Sequence, residues 1–392
     1  MAADGVAETP ERWAKRLVCS RTGEPAALDE PAFLSPAGAP YLVEYDLDPA
    51  AGKWLRERWA GRAWGMWRYR ELLPVQDPQA AVDLGEGGTP LVLLRRSAPP
   101  GLEVWIKEES CNPTGSFKAR GLSLAVNRAR ELGAAGVQLP SAGNAALAAA
   151  AYAAAVGMPC RVAVPADAPA TVLDRCREYG AEVLAGDANL VEAGRRLAPG
   201  NEGADGYWNI ATLREPYRVE GKKTMAYEIT EQLGWEQPDW IVYPTGGGTG
   251  IIAMHRAFAE LRRLGLVDGP PPRFAAVQMA GCAPIVRAFD EGREEAEPWA
   301  DPVTRAWGLR VPAAIGDFLI LRVVRESSGT AVAVADEKAE QTATELARRE
   351  GVLAGIEGAA AVAGLEQLTA SGQVAEGSRV VVLQTGHPAN YV

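Results

Sequence analysis

Only two histidines, five cysteines and seven lysines occur among 392 residues, and each shortage removes a class of chemistry. His255 and His387 stand alone, with no H-E-x-x-H and no cysteine pair beside them, so a catalytic zinc site has no ligand set. The cysteines (Cys19, Cys111, Cys160, Cys176 and Cys282) are odd in number, scattered and never spaced C-x-x-C. That pattern fits reduced, buried thiols in a cytoplasm better than a disulfide framework. No G-x-S-x-G elbow is present, so serine hydrolase chemistry has no support. The longest apolar run, Ala145–Val156, has 12 residues and is too short to cross a bilayer. Residues 1–12 are acidic and lack the apolar core of a secretory leader. Positive charge is short as well: a formal net charge of −10 argues against sequence-independent nucleic-acid binding.

What is present is apolar content enough, at 47%, for a large core divided into two domains plus an extension. Residues 1–80 are rich in Trp, Pro and Arg and read as an arm packed on the main body. From about residue 90, short apolar runs alternate with helical stretches, the pattern of a parallel α/β fold. Strands are expected at 104–106, 137–139, 161–164, 182–184, 240–243, 274–278, 330–334 and 379–384. Helices are expected at 122–132, 145–156, 170–179, 188–197, 223–232, 251–264, 336–350 and 358–368, with a loop at 199–206.

Three loops at the carboxyl ends of these strands carry chemistry. The first, Asn112–Gly121, places Lys118 between a turn and a helix start. Arginine is the default cation of this chain, so a lysine here is expected to need its amine, which can lose a proton and attack a carbonyl. Taken alone, it reads more readily as a surface lysine on the first turn of a helix. The second loop, Gly246-Gly247-Gly248-Thr249-Gly250, joins a strand to a helix; its backbone N–H groups and the helix N-terminus suit a phosphate. It lacks the Lys-Ser/Thr of a Walker A loop, and G-x-G-x-x-G fails at Ile251, so a single phosphate is the expected guest. The third, Ser141-Ala142-Gly143-Asn144, offers N–H groups to a carboxylate and the Asn144 amide to a ring oxygen, or simply an N-cap. Thr385, after the final strand, can reach a ring nitrogen through its hydroxyl. An amine, a phosphate cradle and ring-edge donors together suit pyridoxal 5′-phosphate.

Several stretches then match one known family at once: 85–91 (GEGGTPL), 112–121, 140–144, 218–224 (RVEGKKT) and 244–250. From about residue 40 to its end the chain resembles the threonine synthases, among the tryptophan-synthase-β-like (fold-type II) pyridoxal-phosphate enzymes. The resemblance implies a two-domain α/β fold: 81–112 with 223–392 as the large domain, and 113–222 as a smaller mobile one. It implies Lys118 as the Schiff-base lysine, with Phe117 and Asn144 at the cofactor ring, Gly246–Gly250 on its phosphate and Thr385 at the pyridine nitrogen. Substrate binding falls to Ser141, Ala142, Gly143 and Ala145 for the carboxylate, and to Arg218, Lys222 and Lys223 for the phosphate of O-phospho-L-homoserine. Arginine's planar donors suit that last task. Lys107 and Arg120 are candidates for lowering the pKa of Lys118, or for surface ion pairs. A homodimer follows by analogy. The chain departs from the family in its all-Gly/Thr phosphate loop, in Ala119, in the ending His387–Asn390 without a frequent lysine, and in Cys19–Thr22, which lacks a second cysteine. The departures leave open a dehydratase, a cysteate-synthase-like enzyme acting on O-phosphoserine, or a non-catalytic regulatory homologue.

Overall fold

The computed structural model describes residues 13–187, 190–197 and 206–391. Its larger sheet runs Thr330–Val334, Arg273–Met279, Trp240–Pro244, Arg379–Gln384, Glu103–Glu108 and Leu91–Leu93, with every neighbour parallel except the last pair. Its central strands are apolar on both sides, as parallel strands covered by helices must be. Ile241, Tyr243, Val381 and Leu383 face one core, while Trp240, Val242, Val380 and Val382 face the other. The second core is closed by helix Ile356–Ala370, whose alanines let it lie close against the sheet.

A second, four-stranded parallel sheet runs Glu182–Asp187, Cys160–Pro165, Gly136–Pro140 and Tyr207–Asn209. Helix Asn144–Ala155 is alanine-rich and buried from Ala146 to Ala153, the condition of a helix apolar all round. The N-terminal segment forms a three-stranded antiparallel sheet and a short helical stretch, Met66–Leu72. It is fastened to helix Tyr217–Gln232 by Trp59 and Tyr69 stacking around Tyr227 and by the Arg68–Glu231 ion pair at 2.6 Å.

Two helices begin earlier than apolar periodicity indicates. The Lys118 helix spans Lys118–Glu131 and the Arg218 helix Tyr217–Gln232. Their first two turns contain Arg120, Arg218 and Lys222, which are buried by partners that no periodicity reveals. Helices Pro284–Asp290 and Asp317–Glu326 are absent from the sequence reading. Of the helix expected at 188–197, Leu190–Arg196 is found; residues 188–189, and the expected loop from 199 to 205, lie outside the described residues. Cys111 is exposed, contrary to expectation, because it falls on a short turn after strand Glu103–Glu108; the other four thiols are buried.

Candidate active site

The loops that the sequence singles out converge at the carboxyl ends of the two sheets, where open α/β folds bind ligands. The lysine loop is fastened to the final loop: Phe117 N–H donates to the Thr385 carbonyl at 3.0 Å and His387 N–H to that of Gly115 at 2.8 Å. Ser116 and Gly386 form an antiparallel bridge between them. Phe117 packs edge-on against Tyr243, one residue from the end of the strand that feeds the glycine loop. Two amines approach the Phe117 ring, Lys118 Nζ at 4.4 Å and Lys222 Nζ at 5.2 Å from its centroid. Lys222 Nζ also donates to Thr249 Oγ1 at 2.7 Å, tying the Arg218 helix to the glycine loop.

Burial without enough counter-charge sets the electrostatics. Lys118 is drawn down to about 7 by desolvation and by the Arg218 cation, with Glu357 opposing. Lys222 is pushed well below its ordinary value by burial and then by Arg218 and Lys118. Arg218 itself falls to about 10 on burial, with Glu215 opposing. Glu215 rises to about 7 because burial outweighs Arg218 and the N–H groups of Tyr217 and Arg218 that it accepts, at 2.6 and 3.1 Å. Arg218 Nη1 donates to the Ile210 carbonyl at 2.8 Å, yet its Nε and Nη2 have no partner among the described residues although the residue is 1% exposed. Glu357 accepts from Gly308 N–H at 2.9 Å and is raised by burial. Neutral amine, cations and unpaired donors make this a cleft for anions.

The glycines at 246–250 are required sterically. A Cβ would lie 2.6 Å from the Gly308 carbonyl oxygen at Gly246, 2.7 Å from Thr212 Cγ2 at Gly247, 2.4 Å from Ile320 at Gly248 and 1.8 Å from Tyr243 Oη at Gly250. Gly248 also has φ +80°, the left-handed region where glycine belongs. The loop opens helix Thr249–Arg263, so its N–H groups and the helix dipole point where a phosphate would sit.

At the third loop, Gly143 rather than Ser141 or Asn144 takes the N-cap position, and no side chain caps the helix. Ala142 is buried, while Ser141, Gly143, Asn144 and Ala145 are partly exposed. Asn144 Oδ1 accepts from Asn390 Nδ2 at 2.6 Å, and the Tyr391 hydroxyl lies over Gly143, 2.8 Å from where a Cβ would be.

Two expectations are corrected. Lys223 is turned away from the cleft: it is paired with Glu220 at 2.7 Å and Glu260 at 2.9 Å, and its ammonium lies 3.8 Å from the Tyr45 ring centroid. Adjacent residues on a helix face different sides, so Lys222 and Lys223 cannot share a target. Lys107 and Arg120 are neither surface residues nor the cations acting most on Lys118. Both are fully buried and bound to Glu228, and Arg120 also to Glu109. Arg218 acts on Lys118 instead. Sequence reasoning missed Glu215, Glu357, Asn390 and Tyr391. Glu215, three residues before Arg218, and Asn390-Tyr391, just past the last loop, stand beside motifs, whereas Glu357 has no such signal.

Comparison with known proteins agrees with this geometry. Residues 82–386 match the family model described as pyridoxal-phosphate dependent enzyme. The chain is similar to a threonine synthase of Methanocaldococcus jannaschii, 34% identical over 94% of this chain and 91% of the relative. It is similar also to one of Methanosarcina acetivorans, 36% identical over 82% and 79%. In fold it resembles the processed form of threonine deaminase isoform 2 from Solanum lycopersicum, with a TM-score of 0.66 and 22% identity over 76% of this chain and 83% of that one. Maize serine racemase is comparable, with a TM-score of 0.64 and 23% identity over 78% and 88%. With the family model covering most of the chain, and relatives this similar along nearly its whole length, the chain belongs to the threonine synthase family of fold-type II pyridoxal-phosphate-dependent enzymes.

Proposed function

We propose that the chain converts O-phospho-L-homoserine and water to L-threonine and inorganic phosphate, using pyridoxal 5′-phosphate. The observation that carries this reading is Arg218, whose two unpartnered nitrogens are buried beside Lys118 and Lys222. An enzyme that only deaminates serine or threonine has no phosphate on its substrate to occupy them.

The residues suit the cofactor. Its phosphate matches the glycine cradle with Thr249, and its aldehyde needs a neutral amine, which Lys118 can be near pH 7. When bound, the cofactor supplies an electron sink for carbanions. Asn144 would hold its ring oxygen and Thr385 its ring nitrogen, with Phe117 alongside. The substrate carboxylate lies on the helix start from Ser141 to Ala145. Lys118 Nζ takes the proton from Cα and later one from Cβ; the shift that favours the neutral amine fits it for that work. Arg218 and Lys222 hold the phosphate as it leaves Cγ. Lys118 Nζ gives one proton back to Cγ, which becomes the methyl group, and one to Cα, while water adds its hydroxyl at Cβ and its remaining proton goes to the departing phosphate. Residues 113–222 act as the smaller, mobile domain that closes over the cleft. The enzyme works in the cytoplasm as a homodimer.

Incubating the cofactor-loaded protein with O-phospho-L-homoserine tests this: threonine and phosphate should appear in equal amounts. Inactivity there, with keto acid and ammonia formed from threonine, would overturn it in favour of a dehydratase.

A further inference from the structure

Asn390 lies at a junction whose hydrogen-bond polarity is dictated by the backbone. Its Nδ2 is 3.0 Å from the Thr114 carbonyl oxygen, 3.3 Å from that of Gly115 and 2.6 Å from Asn144 Oδ1. A backbone carbonyl can only accept, so the NH2 of Asn390 must face that side. A flipped amide would set one oxygen against two others. Arg175 agrees from the opposite side: its Nη1, which can only donate, is 3.4 Å from Asn390 Oδ1. Asn144 must therefore turn its oxygen toward Asn390 and its NH2 away. That NH2 lies against Gly386, 2.9 Å from where a Cβ would be, and Tyr391 packs over the neighbouring Gly143.

We propose that Asn390 is a positioning residue that fixes the orientation of the Asn144 amide, so that a donor rather than an acceptor meets the ring oxygen of pyridoxal phosphate. The inference rests on the reading of Asn144 given under Proposed function. Polarity passes from two backbone carbonyls through Asn390 to Asn144. A lysine at this position would do the same work, since an ammonium also only donates.

The test is titration of the cofactor-free protein with pyridoxal 5′-phosphate, following visible absorbance and intrinsic fluorescence. Asn390→Asp keeps the shape but replaces the donor by an acceptor. It should weaken cofactor binding by about tenfold or more and shift the visible band, because a lost hydrogen bond becomes a repulsion. Asn390→Lys should restore affinity to within about threefold and return the band to its original position. Wild-type affinity and band in Asn390→Asp would overturn the proposal, as would equal impairment of the Asp and Lys variants, which would mark a packing role. If the Asp variant does not fold, Asn390→Ala replaces it: weaker binding than the Lys variant supports the proposal, and equality overturns it. Failure of the unmodified protein to take up pyridoxal phosphate would remove the reading of the whole cleft. Tight binding by wild type and every variant would remove this inference alone.

Discussion

Two buried charged clusters flank the start of the Lys118 helix, and burial acts on them with opposite results. In one, Arg120 meets Glu109 at 2.7 Å and Glu228 at 2.6 Å, and Lys107 meets Glu228 at 2.8 Å. Thr89, Thr224 and Gln232 complete the set. Two cations face two carboxylates there; Glu228 is held down at about 2 and Arg120 well above its ordinary value, although burial draws Lys107 down. In the other, Lys118, Arg218 and Lys222 face Glu215 and Glu357, the cations are lowered and the carboxylates raised, and Arg218 keeps idle donors. Depth is similar, so the number and placement of partners decide the sign. The first cluster is complete within the chain and belongs to the scaffold. The second is short of counter-charge among the described residues, and on the proposed function anions from outside would complete it.

The comparison can be broken at its strongest point by Lys118→Ala. Phosphate release from O-phospho-L-homoserine should fall by at least about 10³-fold, since the proton carrier is lost. Stability of the cofactor-free chain in urea should hold or rise, because an ill-solvated amine has gone. A large loss of stability would put Lys118 in the scaffold instead. Glu228→Leu tests the other side. It leaves Arg120 and Lys107 buried with only Glu109 nearby, at an expected cost of about 3–5 kcal/mol. A change below about 1 kcal/mol by urea titration would show that the balanced cluster contributes little.

The contrast also explains what the sequence could disclose. The fold was legible because parallel strands such as Trp240–Pro244 and Arg379–Gln384 are apolar throughout, and glycines or short polar turns punctuate them. Lys118 and the 246–250 loop were legible as positions, because a turn–helix junction and a run of glycines at strand ends mark them, whereas Lys118 taken alone still read as a surface residue. Lys222 and Lys223 show the limit: two adjacent, identical side chains, of which one reaches Thr249 and the other Glu260. Which does which depends on helix phase and on a partner 27 or 37 residues away. Glu357 reaches the cleft only because helix Ile356–Ala370 packs on the sheet from a distant part of the chain, and no motif records that.

Arg218→Met sharpens the same comparison with a smaller effect. Removing charged hydrogen bonds to a phosphate should cost about 1.5–3 kcal/mol in kcat/KM for O-phospho-L-homoserine. The thermal midpoint should stay level or rise, since a partly unpaired guanidinium is replaced by an apolar chain of similar length. A parallel fall in activity and midpoint would mean that Arg218 is structural, held for its bond to the Ile210 carbonyl.

The smallest expected effect is a stability minimum near neutral pH in the cofactor-free chain. Lys118 has a folded value of about 7 against an ordinary 10.5. Below pH 7 both folded and unfolded chains hold its proton, and the folded chain bears the full penalty of a buried charge. Between pH 7 and 10.5 only the unfolded chain keeps the proton, so stability rises with pH. Glu215 runs the other way: its folded value of about 7 lies above the ordinary 4.5, so from pH 4.5 to 7 stability falls as the buried carboxyl is pressed to ionise. Lys222, also lowered, adds to the alkaline rise, so the assignment is made by difference. Urea titrations at pH 5, 7 and 9 should show the alkaline limb flattened in Lys118→Met and the acid limb flattened in Glu215→Gln. Unchanged limbs in both variants would mean that the cleft is wet enough to solvate its charges, and the contrast between the two clusters would then lose its physical basis.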